Sequence, residues 1–107
     1  MTATTFQPAG GTGTVPLVEF MITGELDWSG LPPVREQLDA VVSLRPRHVV
    51  IDLAGCTLLD AAAIALLLDV HRELRHTEGQ FDLRCPTPRV RRILELARTT
   101  HVLPVIQ

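Results

Sequence analysis

A chain of 107 residues, 46% hydrophobic and 21% charged, has the length of one compact domain with one core and is too apolar for a disordered polypeptide. Its formal net charge of −2 excludes a nonspecific grip on nucleic acid, which needs a concentrated basic surface to release counterions. Cys56 and Cys85 stand apart without CxxC spacing, so neither a zinc site nor a disulfide framework is expected, and a reducing compartment fits best.

The amino-terminal segment carries no basic n-region or apolar h-region, and no apolar run reaches the roughly 18 residues of a membrane span. The expectation is a soluble cytoplasmic protein with no membrane insertion. Thr4 to Gln7 has the makings of a short first strand, and the glycine-rich run Pro8 to Thr14 has the chemistry of a hairpin turn; a flexible tail over 1–14 is the alternative. That run lacks the Lys-Ser/Thr ending of a phosphate-binding loop.

From Val15 to Thr23 the residues alternate as a strand, with Val18, Phe20 and Ile22 on one face and Leu17 and Met21 on the other. Only Glu19 interrupts, so both faces are expected to be at least partly covered, with Gly24 to Asp27 leading the chain out of the sheet. A helix begins near Leu31, where Pro32 and Pro33 fall in the first turn and need no N–H. Leu31, Val34, Leu38, Val41 and Val42 form its apolar stripe. Pro46 ends the segment, and His48 to Leu53 reads as a central parallel strand.

After a turn at Ala54-Gly55-Cys56-Thr57, Asp60 has the side chain to cap a helix running to about His76. Spacing predicts Ile64, Leu67, Leu68, His71 and Leu74 on the core side and Ala62, Leu66, Asp69 and Glu73 facing outward. Gly79 stops this helix, and Gln80 to Cys85 forms the next strand. Thr87-Pro88 then opens a last helix with Val90, Ile93, Leu94 and Ala97 inward. Val102 to Ile106 is a final strand or extended tail. Short strands alternating with longer helices predict an α/β fold: a single domain with a mostly parallel sheet of four to five strands and crossover helices.

A helix N-terminus concentrates unpaired N–H groups and the positive end of the dipole, so a hydroxyl just inside it suits phosphorylation or anion binding. Here Asp60 is followed by Ala61, Ala62 and Ala63. Thr57 is the nearest substitute hydroxyl, although turn threonines more often bond locally. Asp27 and Asp60 are a candidate carboxylate pair at the strand ends, but turn and capping duties explain each separately. Cys56 with His48 or His101 lacks the signature of a nucleophile and base, and a buried structural cysteine fits better. His71 suits a packed histidine bonded to a carbonyl. Arg89, Arg91, Arg92 and Arg98 lack interleaved aromatics, so they read as a solvated face or, at most, a rim for an acidic protein partner.

Three blocks in order, GELD from Gly24 to Asp27, VVIDLAGCTLLD from Val49 to Asp60, and RVRRILELARTTHVLPV from Arg89 to Val105, resemble the STAS domains, a family best known for bacterial anti-sigma factor antagonists. The resemblance spans nearly the whole chain. It implies a partner anti-sigma factor with serine-kinase activity, bound by the unphosphorylated domain and released when a Ser or Thr after the matching Asp is phosphorylated. In this chain Ala61 occupies that phosphoacceptor position. Ala63 replaces the family glycine two residues on, and Arg98 stands where a glycine is common after the last helix.

The expectation is a non-catalytic protein-interaction module, not switchable by phosphorylation at the usual place. It would present Thr57, Asp60, Ala61, Ala62, Leu66, Asp69 and Glu73 to a protein partner, with no catalytic residue, metal or cofactor. The sequence is also compatible with a homodimer. The alternative is a ligand-sensing or scaffold subunit of a larger transport or stress-sensing assembly, which a concave apolar pocket rather than a flat helix face would favour.

Overall fold

The β-branched run His48–Asp52 (β3) lies in the middle of the sheet, with Leu17–Leu26 (β2) on one side and Gln80–Arg84 (β5) on the other, both parallel to it. The computed structural model of the protein describes residues 3–9, as backbone, and 16–106. Ala3–Ala9 (β1) pairs antiparallel with β2, and Val105–Ile106 (β6) pairs parallel with β5, which completes the order β1-β2-β3-β5-β6. The expected first strand is therefore present, whereas the turn expected from residue 10 to residue 14 lies outside the described residues.

The region expected to be a turn at Cys56-Thr57 is instead the start of a short strand, Cys56–Leu59 (β4), which pairs parallel with β2 from Gly24 to Leu26. Gly24 to Leu26 accordingly stays in the sheet. The chain leaves it only at Asp27, through a single 3-10 turn at Trp28–Gly30. Three helices follow the predicted order: Leu31–Ser43 (α1), Ala61–His76 (α2) and Pro88–Leu96 (α3).

The core is one cluster built from one side of the sheet and the inward stripes of the helices. Val18, Phe20 and Ile22 join Val49, Ile51, Phe81 and Leu83 there, with Val34, Leu38 and Val41 from α1 and Val90 and Leu94 from α3. Leu17, Met21 and Val50 face the other way and are outside the cluster; Val50 is buried and Leu17 half-buried, so the second side is partly covered, as expected, with Met21 exposed. It also carries polar pairs. Arg84 bonds Asp52 at 3.0 Å and Glu19 at 3.3 Å, and His48 Nε2 lies 2.6 Å from Asp82 Oδ2, which also accepts from Gln80.

The buried face of α2 is turned from its expected position. Ala63, Leu66, Leu67, Val70 and Leu74 are sealed in the core, and Leu66 is 0% exposed. Its assignment to the outward stripe was wrong because the packing of α2 against β4, β5 and α1 selects the Leu66–Val70 side over the equally apolar Leu68. His71 is half-buried with its ring edge-on to Phe81, the centroids 5.7 Å apart. Burial pushes its imidazole pKa below the ordinary value, and Arg75 lowers it further.

Gly79 has a role other than the one its sequence position suggests. The left-handed residue that ends α2 is Glu78, with φ 60°, while Gly79 is needed for space, since a Cβ there would stand 3.0 Å from the Pro46 carbonyl oxygen. Arg98 also adopts a left-handed conformation, with φ 58°, which explains why a glycine suits this position.

Arg98→Gly removes the Cβ strain at a small entropic cost. The expected gain is about 0.5–1 kcal/mol, a rise in Tm of about 2–6 °C on thermal melting. A second expectation concerns acid. Burial alone would raise the Asp52 carboxyl pKa, but the Ala54 N–H and Arg84 outweigh it and hold the value below the ordinary one. A lowered folded pKa contributes stability that is present above the unfolded value and lost as pH falls through the folded value. Arg84→Met should therefore flatten the loss of urea midpoint as pH falls below about 4.

Candidate functional site

Asp60 sits where β4 meets α2, and its two carboxylate oxygens do different work. Oδ1 accepts from the Ala63 N–H at 2.8 Å, capping α2, while Oδ2 accepts from the Trp28 N–H at 2.8 Å, tying the 3-10 turn to the helix start. The Asp60 N–H in turn reaches the Leu26 carbonyl at 3.3 Å. Asp27 caps the 3-10 turn, its Oδ1 accepting from the Ser29 N–H and hydroxyl and from the Gly30 N–H. The Ser29 hydroxyl bond is the main reason the Asp27 carboxyl titrates below its ordinary value. Both carboxylates do converge on one corner of the domain, each engaged in capping.

Beside these two carboxylates the exposed side chains of Trp28 and Ala61 are apolar. Ala61 is exposed, Ala62 half-buried and Ala63 fully buried, so two of the three methyl groups reach solvent. Trp28, the only tryptophan in the chain, is 74% exposed beside Asp60. Sequence reasoning missed it, although a lone aromatic next to the Asp27 turn was the available signal, since exposed tryptophans favour interface centres. Thr57 is exposed on β4, one element earlier than Ala61.

The expected residues do not form one continuous patch. Asp60, Ala61 and Ala62 gather at the start of α2, whereas Thr57 lies back on β4, Asp69 and Glu73 lie two and three turns along the helix, and Leu66 is inside. Asp69 is taken up by Arg35 at 3.5 Å and Arg72 at 3.6 Å, exposed pairs of small energetic value. Cys56 is fully buried, and burial pushes its thiol pKa up, which disfavours the thiolate a nucleophile requires. His48 is paired with Asp82, and His101 is exposed. Among the described residues no cluster of three or more His, Cys, Asp or Glu is placed to hold a metal ion, and no helix is long and apolar enough to cross a membrane.

Thr87 completes the arrangement by anchoring α3. Its hydroxyl accepts from the Val90 N–H and donates to the Cys56 carbonyl at 3.2 Å, which fixes the start of α3 against β4 beside α2. A shallow groove of about 440 Å³ runs between the two helices, lined by Ala61, Ala65 and Leu68 on one wall and Ile93, Leu96 and Ala97 on the other.

Asp60→Ala removes both the cap and the tie to Trp28. The expected cost is about 1–2 kcal/mol, read as a lower urea midpoint at unchanged m, with a change in Trp28 fluorescence in the folded baseline.

No curated protein matches the chain. Among solved structures it is similar to an anti-sigma factor antagonist from Mycobacterium paratuberculosis, with TM-score 0.78, 23% identity, and 96% of this chain and 85% of that one covered. It is also similar to the anti-sigma factor antagonist SpoIIAA in its unphosphorylated form, with TM-score 0.73, 20% identity and coverage of 96% and 89%. The phosphorylated form of the Bacillus cell fate determinant SpoIIAA gives TM-score 0.68, 19% identity and coverage of 96% and 92%. These likenesses establish the fold. The family model described as "Mlab, STAS domain" matches residues 18–105, nearly the full length of the sheet and all three helices, and the chain belongs to that family.

Proposed function

We propose that the chain is a non-catalytic protein-interaction module of the anti-sigma factor antagonist type, docking a protein partner through the start of α2 and fixed in its binding-competent state. The observation that carries this reading is the exposed Ala61 methyl at the first position of an Asp60-capped helix, with the exposed Trp28 tied to the same cap through its backbone N–H. A partner backbone approaches small, rigid side chains at low entropic cost, and an exposed tryptophan supplies an anchor.

The resemblance to regulated STAS domains identifies Ala61 with the phosphoacceptor position. A phosphate there would bring nearly two negative charges. Alanine has no oxygen to esterify, so the surface stays neutral whatever kinase is bound. The partner consistent with this reading is an anti-sigma factor of the serine-kinase type, its contact centred on Trp28, Asp60, Ala61 and Ala62, with Thr57 at the edge. The fully buried Leu66 is not part of this contact.

Affinity capture from native lysate with wild type and Ala61→Asp side by side tests the proposal. An aspartate at the first position favours the helix dipole, so Tm should hold or rise slightly, while retention of the partner should fall at least tenfold. Equal retention by both proteins overturns the reading, as does kinase-dependent release of the partner from wild type with radiolabel entering Thr57. Ala62→Arg gives a second check: weaker partner binding at nearly unchanged Tm.

A further inference from the structure

The groove between α2 and α3 does not end at Leu68. On the far side of that residue a second concavity, about 600 Å³, is lined by His71, Arg72, Arg75, His76 and Val102. Leu68 lines both, so an apolar hollow and a basic one adjoin at that residue, two halves of a channel-like tract along α2. From Ala61 to Arg75 the helix rises about 21 Å at 1.5 Å per residue, the length of a partner helix of about four turns.

The charge of this channel is unlike that of the chain as a whole. The protein carries net −2, yet the basic half presents two arginines and two histidines. Arg72 only shares Asp69 with Arg35 across more than 3.4 Å. Among the described residues no ion pair engages Arg75. Leu96, on the α3 wall of the apolar half, is 67% exposed. An apolar strip with arginines at its end has its complement in an amphipathic helix whose carboxylates lie at one terminus.

Resting on the docking reading above, we infer that this channel receives one amphipathic helix of the protein partner, its apolar side on Ala65, Leu68 and Leu96 and its acidic end against Arg72 and Arg75. A second copy of the chain is a poor occupant, because a two-fold contact through this face would offer Arg72 and Arg75 only residues of the same face, and among the described residues no carboxylate lines it. A membrane surface is also a poor fit, since the apolar residues line a concavity between two helices instead of a protruding face.

A photoreactive benzoylphenylalanine placed singly at Ala65, Arg75 or Trp28 in the full chain, expressed in its native cells, tests the inference by mass spectrometry of the adducts. Positions 65 and 75 should trap one helical segment of one protein, apolar at i and i+4 spacing, with Asp and Glu at the end reaching position 75. The double variant Arg72→Glu/Arg75→Glu should lower adduct yield at position 65 at least fivefold, with only a small fall in Tm from charge reversal near the end of α2. Adducts to lipid, to another copy of the chain, or to a segment without acidic residues overturn the inference. Trapping at 28 without trapping at 65 and 75 overturns it while leaving the docking reading intact, and no adduct at any position overturns both.

Discussion

One carboxylate holds together the corner where β2 ends and α2 begins. Asp60 bonds the Ala63 N–H and the Trp28 N–H at the same distance, 2.8 Å, so the start of α2 and the turn after β2 are fixed relative to each other by a single residue. A charge accepting two N–H bonds at a helix start satisfies donors that would otherwise need water, and it does so where the dipole favours it. The exposed tryptophan and the alanine cluster keep a constant spacing because of it. Without that tie the 3-10 turn would rest on the Asp27 cap alone.

The second constraint is the anchoring of α3 by Thr87. Its hydroxyl takes one bond from its own helix and gives one to the Cys56 carbonyl, so β4 positions both helices. The short strand that looked like a turn is thus the base of the whole surface. Parallel pairing with Gly24 to Leu26 sets β4, β4 sets where α2 begins, and the same strand fixes where α3 begins. The groove between the helices follows from that shared origin.

Much of this was legible in the sequence. The Asp60 and Thr87 caps, the α1 stripe of Val34, Leu38 and Val41, and the order of strands and helices all rest on local patterns that packing did not alter. Three features were not legible, each for a tertiary reason. Cys56–Leu59 is too short to declare itself as a strand without its partner on β2. The apolar residues of α2 cover more than one face, and periodicity alone cannot say whether Leu66 or Leu68 goes inside. The polar pairs of Arg84 with Asp52 and of His48 with Asp82 on the second side of the sheet join residues 32 and 34 apart, so no local pattern announces them. At the site, Ala61 and Ala62 were placed correctly at the surface, whereas Trp28 drew no attention because its exposure depends on the 3-10 turn that carries it.

The sheet closes at one margin with β6, only two residues long and paired to β5 through Val105 and Ile106. So brief a border leaves almost no row of unsatisfied peptide groups for a neighbouring polypeptide to extend. Lateral addition of a further strand is therefore disfavoured at that margin.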